Sequence, residues 1–232
     1  MKVGSRERSV LFGGLLLLPF FATADAPLDD ELTAAMAATP NIEAGKQVFK
    51  LCVVCHLTES WGVIDGSYPQ LAGQHSSVII KQISDIRAGN RDNPSMLVIA
   101  QEKVMGGAQA IADVTAYIQT LPMTPTPGVG AGERLGRAEK LYFRKCAECH
   151  GSNGQGDKKR FFPRLHGQHY AYLLRQLRWI RDGKRRNANP EMARRLGKLK
   201  ENDLVILADY ISRIKPPVED VAPVGWKNPD FK

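Results

Sequence analysis

Six stretches of the chain carry hydrophobic residues at intervals of three to four positions, with polar residues between them. This spacing predicts amphipathic helices. The six stretches are residues 44–51, 78–86, 111–121, 135–142, 173–180 and 204–214. Gly89 and Gly183 follow the second and the fifth stretch, at positions where the end of a helix favours glycine. Nothing between the stretches has the alternation of a sustained strand, so the pattern predicts an all-α chain.

The six stretches form two sets of three, because the sequence repeats itself. Cys52 corresponds to Cys146, 94 residues further on, and the segment Pro-Gln-Leu-Ala-Gly-Gln-His at 69–75 corresponds to Pro-Arg-Leu-His-Gly-Gln-His at 163–169. A repeat of this length indicates two similar domains rather than a solenoid of short units. The other matches are Gln82 with Gln176, Arg91 with Arg185, and Asn-Pro-x-Met at 93–96 with the same motif at 189–192.

The repeat places an N-terminal domain at residues 27–121 and a C-terminal domain at residues 133–215. Alternating proline and glycine at 122–132 predict a semi-extended linker between them. Residues 216–232 contain four prolines and no periodicity, which predicts an extended tail on the surface. A helical domain of this size has a marginal core by itself, unless a large apolar group occupies its centre.

The first 26 residues have the layout of a secretory signal peptide. Three basic residues precede an apolar block at 10–22, and Ala-Asp-Ala at 24–26 fits a cleavage site. The apolar block is shorter than the about 18–20 residues that a membrane-spanning helix needs, which disfavours an uncleaved anchor. The layout therefore predicts that the mature chain starts at Pro27 and is exported to a bacterial periplasm.

Composition and charge narrow the class of protein. With 232 residues, 43% hydrophobic and 24% charged, the chain is neither disordered throughout nor collagen-like. The net charge of +8 is uneven, since residues 27–122 have 6 basic and 10 acidic side chains and residues 123–232 have 23 and 12. A basic half attracts acidic partners. The basic residues at 184–186, with Arg194 and Arg195, flank Met192 and form a candidate docking face, although a merely solvated surface is the alternative.

All four cysteines lie in two copies of Cys-x-x-Cys-His, which are Cys52, Cys55 and His56, and Cys146, Cys149 and His150. The motif is typical of c-type haem attachment, in which two thiols bond to the porphyrin vinyl groups and the histidine binds the iron. A zinc site would need a third cysteine or a further histidine pair in each half. A thioredoxin-like redox pair would lie beside a strand–helix–strand pattern, and a disulfide would leave the histidine unexplained. Two covalently bound haem c groups are therefore predicted.

The second axial ligand of each iron must come from another part of the chain. Met192 is the only methionine after Met123, so it is the candidate in the second domain. In the first domain Met96 and Met105 compete, and the repeated Asn-Pro-x-Met motif favours Met96. Two histidines in the repeated Gly-Gln-His segment, His75 and His169, are the alternative, with His/His instead of His/Met ligation.

Three further features concern the surroundings of the haems. The carbonyls of Pro69 and Pro163, each 13 residues after a haem histidine, are candidates to accept its Nδ1–H. His166 replaces Ala72 in the second copy only, and is expected at a haem edge or at the domain interface. After its motif, the second copy has Gly-Ser-Asn-Gly-Gln-Gly-Asp at 151–157, whereas the first has Leu-Thr-Glu-Ser-Trp-Gly-Val-Ile-Asp at 57–65. The environment of the first haem, including solvent access near Trp61, is therefore expected to differ.

The doubled motifs Cys-x-x-Cys-His, Pro-x-Leu-x-Gly-Gln, Gly-x-Arg and Asn-Pro-x-Met resemble those of the dihaem class I cytochromes c of the cytochrome c4 family, over roughly residues 40–215. The resemblance implies two tandem cytochrome c folds related by a pseudo-twofold axis, and haems close enough to exchange electrons. It also implies His/Met ligation, by His56 with Met96 and by His150 with Met192. Members of the family reside in the periplasm, often loosely on the membrane, and pass electrons to terminal oxidases.

The sequence thus predicts an electron-transfer protein rather than an enzyme, with redox proteins as partners and an acidic surface on the oxidase or reductase that it meets. The alternative is the cytochrome subunit of a periplasmic, flavin-dependent dehydrogenase. A haem enzyme, such as a peroxidase or a thiosulfate-oxidising enzyme, would need an open or unusual iron ligand. Nucleic-acid binding is disfavoured, because the basic residues are scattered through helices that pack around haem.

Overall fold

The computed structural model describes Met1 and residues 30–231. The predicted signal peptide, residues 1–26, lies outside the described residues except for Met1. The described residues form twelve α-helices: α1 (Asp30–Ala37), α2 (Ile42–Phe49), α3 (Val53–His56), α4 (Ser76–Arg87), α5 (Pro94–Ala100), α6 (Glu102–Met105), α7 (Ala108–Ile118), α8 (Leu135–Lys145), α9 (Ala147–His150), α10 (Tyr170–Arg181), α11 (Pro190–Leu196) and α12 (Glu201–Ser212). A turn of 3-10 helix, Val218–Asp220, follows α12. Among these helices, none combines the length and the apolar character needed to cross a bilayer.

The predicted all-α fold is confirmed. The six stretches with helical spacing form α2, α4 and α7 in the first domain and α8, α10 and α12 in the second. Between residues 30 and 231 there is no β-strand, only the isolated bridges Met123–Val221 and Asp157–Phe162. Short helices hold the motifs: α3 and α9 contain the histidines of Cys-x-x-Cys-His, and α5 and α11 begin at the prolines of Asn-Pro-x-Met.

Each domain has its own hydrophobic core, built where the apolar faces of the long helices meet. In the first domain α2 packs on α7, and the ring of Phe49 lies 5.2 Å from that of Tyr117. In the second domain α8 and α10 pack on α12, where Leu204 and Leu207 are completely buried. Helix α1, which the hydrophobic pattern did not predict, packs on α4 and α7 of the first domain.

The linker passes through the domain interface rather than around it. Met123 is buried, and its side chain lies between Gly73 of the first domain and Gly167 of the second. A Cβ atom at either glycine would lie 2.4 Å from the Met123 side chain, so both positions of the repeated Gly-Gln-His segment must be glycine for this close approach. The end of the linker is bound to the second domain, because the N–H groups of Gly130 and Gly132 donate to the carboxylate of Asp209 on α12.

The C-terminal segment, residues 216–231, returns from the second domain to the first. Its backbone pairs with the linker, because Met123 N–H donates to the carbonyl of Asp220 (2.8 Å) and Ala222 N–H donates to the carbonyl of Met123 (2.9 Å). Beyond this bridge, Trp226 and Phe231 pack against the core of the first domain, and Asn228 is buried. The sequence pattern predicted instead an extended tail on the surface. Contacts that depend on single aromatic residues have no periodicity, so the pattern did not indicate them.

Candidate haem-binding sites

The two Cys-x-x-Cys-His motifs have the same local structure. In each, the first cysteine caps a four-residue helix that ends with the histidine: Cys52 precedes α3, which ends at His56, and Cys146 precedes α9, which ends at His150. All four thiols are free, and each pair lies on the wall of the same cavity as its histidine. The geometry thus presents two thiols and one imidazole from a single turn of helix.

Each motif histidine is oriented by the proline carbonyl that the sequence analysis singled out. The Nδ1–H of His56 donates to the carbonyl of Pro69 (2.9 Å), and that of His150 donates to the carbonyl of Pro163 (3.1 Å). This bond leaves Nε2 as the ring nitrogen that can bind a metal, and it fixes the plane of the ring. Burial lowers the pKa of both imidazoles, which favours the neutral form that a metal ligand requires.

The loops that follow the two motifs close in the same way. Gly62 N–H donates to the carbonyl of His56 (3.0 Å), and at the equivalent place Gly156 N–H donates to the carbonyl of His150 (2.8 Å). The loop of the first domain therefore follows the same path as that of the second, although the two sequences differ. Trp61 is half-buried in this loop, where its Nε1–H donates to the carbonyl of Pro122 (2.8 Å).

The two candidate methionine ligands occupy equivalent positions at the start of short helices. Asn93 and Asn189 are the N-caps of α5 and α11, and their side chains accept from the N–H groups of Met96 (3.3 Å) and Met192 (3.4 Å). A proline in the first turn, where a helix tolerates it, follows each asparagine. Both methionines lie on the cavity wall. Met105 also lines the cavity, but it is buried in the core of the first domain.

One continuous cavity of about 1360 Å³ joins the two motifs. It exceeds the about 300–1,000 Å³ of a typical small-molecule pocket. Its wall includes both sets of candidate ligands, together with the hydrophobic residues of α4 and α10 that face them. The ligand candidates on the wall are Cys52, Cys55, His56, Met96, Cys146, Cys149, His150 and Met192.

Two arginines face the cavity where the domains meet, in a network that the sequence analysis did not foresee. Arg91 donates to Gln82 (2.9 Å), and in the equivalent contact Arg185 donates to Gln176 (2.9 Å). Arg185 also reaches Gln82 of the other domain (2.9 Å). Burial, with the neighbouring charge of Arg91, lowers the pKa of Arg185 to about 10. Within residues 30–231 neither guanidinium has an ion pair, so the cavity is electrostatically suited to anionic groups.

These features fit haem better than a metal ion bound by thiolates. Burial raises the pKa of Cys52 and of Cys146 to about 12, so both thiols are neutral in the metal-free chain. No cluster of three or more metal-ligating His, Cys, Asp or Glu side chains occurs in the described part of the chain. Each haem carries two propionates, which Arg91 and Arg185 can bind by charge-assisted hydrogen bonds.

The other histidines of the repeat lie at the domain interface and away from the cavity wall. His75 and His169 each contact a backbone carbonyl of the opposite domain. His166 is buried, and its Nδ1–H donates to the carbonyl of Asn153 (2.8 Å) in the loop after the second motif. The candidate docking face differs from the sequence-based expectation at one residue. Arg185 is directed into the domain interface, while Lys184, Arg186 and Arg194 are exposed.

The repeated sequence contained a signal for the interface network. Gln82 and Gln176, like Arg91 and Arg185, are polar residues kept in both copies within otherwise apolar or loop segments. A repeated polar residue on a predicted helix face indicates a buried hydrogen bond. By contrast Tyr172, whose hydroxyl accepts from Arg91 (3.4 Å), replaces Val78 of the first copy and gave no such signal.

Two helical domains that each enclose a Cys-x-x-Cys-His motif define a c-type cytochrome with two haems. The family model for cytochrome c matches the chain twice, over residues 42–122 and 136–215. The cytochrome c4 of Azotobacter vinelandii is 31% identical over 196 residues, which cover 78% of this chain and 92% of the relative. The chain belongs to the cytochrome c4 family: it is an electron-transfer cytochrome with two covalently bound haem c groups.

Two other similarities are informative. A reduced recombinant cytochrome c4 from Pseudomonas stutzeri has a similar structure, with a TM-score of 0.64 and 28% identity, and the match covers 76% of this chain and 100% of that chain. The thiosulfate dehydrogenase electron acceptor of Stutzerimonas stutzeri is 31% identical over 176 residues, which cover 70% of this chain and 78% of the relative.

Proposed function

We propose that the protein is a periplasmic two-haem carrier that passes electrons to a terminal oxidase or another respiratory acceptor. His56 and Met96 bind the iron of the first haem, and His150 and Met192 bind that of the second. The observation that carries this proposal is the single cavity that joins both sets of ligands across the domain interface. When bound, each haem supplies one-electron chemistry at its iron.

The chain's own residues determine what these haems can do. The Pro69 and Pro163 carbonyls hold the two histidine rings, and Met96 and Met192 would supply the second side-chain ligand of each iron. Because each iron would then have two side-chain ligands from this chain, we infer that substrate has no place there and that the protein has no enzyme activity of its own. The apolar walls of the cavity exclude water, which would favour the less charged, reduced state of a bound haem.

The second domain offers the docking face. Lys184, Arg186, Lys198 and Lys200 are exposed on the loops that border Met192. Arg194 and Arg195 contribute less than their charge suggests, because both pair with Glu191, and Arg195 also pairs with Glu148. A cluster of exposed cations steers an acidic partner towards the nearby haem edge, and this attraction weakens as salt screens it.

Oxidation of the reduced protein by bacterial membranes that contain a terminal oxidase tests the proposal. We expect rapid oxidation, with a rate that falls as ionic strength rises. The double variant Lys184→Gln with Arg186→Gln should be oxidised more slowly at low salt and should lose much of the salt dependence. Arg137→Gln is the matched control, since Arg137 is exposed, pairs with Asp203 and does not line the cavity. A rate that is independent of both salt and these lysine and arginine changes would contradict the docking face.

The second candidate function is that of a dedicated electron acceptor for a periplasmic dehydrogenase. It is favoured by the relative from Stutzerimonas stutzeri that is named a thiosulfate dehydrogenase electron acceptor. Mixing the oxidised protein with a purified thiosulfate dehydrogenase and thiosulfate distinguishes the two. Haem reduction within a complex that stays together in gel filtration supports the dehydrogenase subunit, whereas reduction by transient encounters supports the carrier.

A further inference from the structure

The loop after the first haem motif holds a backbone conformation that its residues do not favour. In the second domain, positive φ values occur at Gly151 (78°) and Gly154 (65°). At the equivalent positions of the first domain, Leu57 has a φ of 65° and Ser60 a φ of 61°. Glycine adopts such values freely, whereas a side chain in this region strains the backbone. The first loop therefore needs an external contact to keep the path that glycines give the second loop.

The C-terminal segment supplies that contact. The Nδ2–H₂ group of Asn228 donates to the carbonyl of Thr58 (2.7 Å), which lies between the two strained residues. It also donates to the hydroxyl of Tyr117 (3.0 Å), and Asn228 is only 2% exposed. Two residues earlier, the indole of Trp226 lies 5.8 Å from that of Trp61, which is in the same loop. The segment thus holds the loop at two points.

Anchors on both sides keep the segment in place. On one side, the backbone bridge between Met123 and Val221 fixes it to the linker. On the other side, Asp230 forms an ion pair with Lys46 and accepts from the hydroxyl of Tyr117 (2.9 Å), while Phe231 packs edge-on against Phe49. Because the anchors lie on α2 and α7, the segment ties the loop to the rigid core of the first domain.

The loop of the second domain has no equivalent clamp. Ser152 corresponds to Thr58, and within residues 30–231 its carbonyl receives no hydrogen bond from the C-terminal segment. The glycines of this loop make such support unnecessary. The two haem sites, which share their ligand motifs, therefore differ in how the loop next to the iron-binding histidine is held.

We propose that the C-terminal segment, which follows the second domain, is a positioning clamp for the first haem site, with Asn228 as its central residue. The clamp holds the strained loop that follows His56, keeps water from the histidine side of the first haem, and raises its reduction potential independently of the second. This inference rests on the proposed ligation of the first haem by His56. Loosening the clamp admits water, which stabilises the more highly charged oxidised site and lowers the potential.

The variant Asn228→Ala, made in the full-length haem-loaded protein, tests the clamp. We expect one of the two midpoint potentials to fall and the other to stay at its native value. Amide exchange at Ser60 and Gly62, whose N–H groups close the loop, should accelerate by about tenfold. Val224→Ala is the matched control, because Val224 is in the same segment, is 92% exposed and should leave both measurements unchanged.

A second change separates a clamp from a merely structural contact. In the double variant Asn228→Ala with Leu57→Gly, the strain at residue 57 is relieved, and the lowered potential should return towards the native value. If Asn228→Ala leaves both potentials unchanged, shifts both equally, or is not rescued by Leu57→Gly, the proposal is overturned. If Asn228→Ala does not fold, Trp226→Leu loosens the other contact and must give the same selective shift. The absorption spectra of these variants should show that both haems keep their native ligands. A change in potential then tests the clamp and not the proposed ligation by His56.

Discussion

His169 of the second domain donates its Nε2–H to the carbonyl oxygen of Trp61 in the first, over 2.7 Å. The reciprocal contact joins Nε2 of His75 to the carbonyl of Gln155 over 2.8 Å, and Gln155 is the repeat equivalent of Trp61. This exchange of partners is what an approximate twofold axis between the domains requires. At His169 the ring is also fixed from its other side, because Gly128 N–H donates to Nδ1 (3.0 Å). The contact needs a neutral imidazole, since Nδ1 must accept.

Acid should therefore weaken the domain interface. Burial lowers the pKa of His169 below its ordinary value of 6.5, although the hydrogen bond to the Trp61 carbonyl and the charge of Asp65 oppose this shift. The unfolded chain therefore takes up a proton at a pH where the folded protein does not. The free energy of unfolding is then highest above about pH 6.5 and falls as the pH drops below it. Guanidinium unfolding at about pH 7.5 and about pH 5 measures the difference, which His169→Gln should reduce. An equal loss in both proteins would contradict the role of His169.

The repeated segment Pro-x-Leu-x-Gly-Gln-His shows what the sequence could and could not predict. Its proline was correctly expected to orient the haem histidine, because the 13-residue spacing recurs in both copies. Its glutamine and histidine gave no such signal, and both are interface residues. Gln168 pairs with the backbone of Gln70, and Gln74 pairs in the same way with Arg164. A repeat within one chain does not reveal which repeated residues face the other copy.

The long helices were predictable because each buries one apolar face, and burial produces the period of three to four residues. Other elements lack that period. Helix α1 is eight residues long and buries only Leu32 and Ala35. The contacts of Met123 and Asn228 depend on single side chains that fit into a site made by distant parts of the chain. Such contacts follow from packing and hydrogen bonding in three dimensions, which local patterns do not encode.

Replacing single methionines tests the axial ligands. Met96→Leu and Met192→Leu should each remove about half of the near-infrared absorption that is typical of methionine bound to ferric haem, and each should lower one midpoint potential. Met105→Leu should keep the full absorption and cost less than about 1.5 kcal/mol of stability, since leucine conserves the core volume. Near-infrared spectra and redox titrations of the three variants make the comparison. Loss of half of the absorption in Met105→Leu would reassign the first ligand.

The wedge that Met123 forms between the domains should contribute strongly to stability. Met123→Ala leaves a cavity between Gly73 and Gly167, and comparable truncations of buried side chains cost about 2–5 kcal/mol. Guanidinium unfolding followed by haem absorption measures the loss. Met36→Ala is the control, because Met36 is 44% exposed on α1 and its truncation should cost little. Similar stability losses in both variants would show that the linker merely connects the domains.

Variants of the adjacent residues Arg185 and Arg186 distinguish the effect of a positive charge on the haem potentials from its effect on docking at the surface. Both residues line the cavity, but Arg185 is half-buried in the interdomain network, whereas Arg186 is exposed and, among the described residues, donates to the carbonyl of Gly89 (2.9 Å). A cation near the haems favours the reduced state, since reduction adds negative charge. Arg185→Gln should therefore lower at least one midpoint potential by roughly 30–60 mV, a factor of about three to ten in the one-electron equilibrium.

Arg186→Gln should leave both potentials near their native values, because solvent screens the charge that it removes. It should instead slow electron transfer to an acidic partner at low salt. Redox titration of the two variants, with the rate of oxidation measured as a function of ionic strength, distinguishes these effects. If the two variants shift the potentials equally, the network around Arg185 provides no special field at the haems, and the cavity-facing guanidinium is simply one of many positive charges in the second domain.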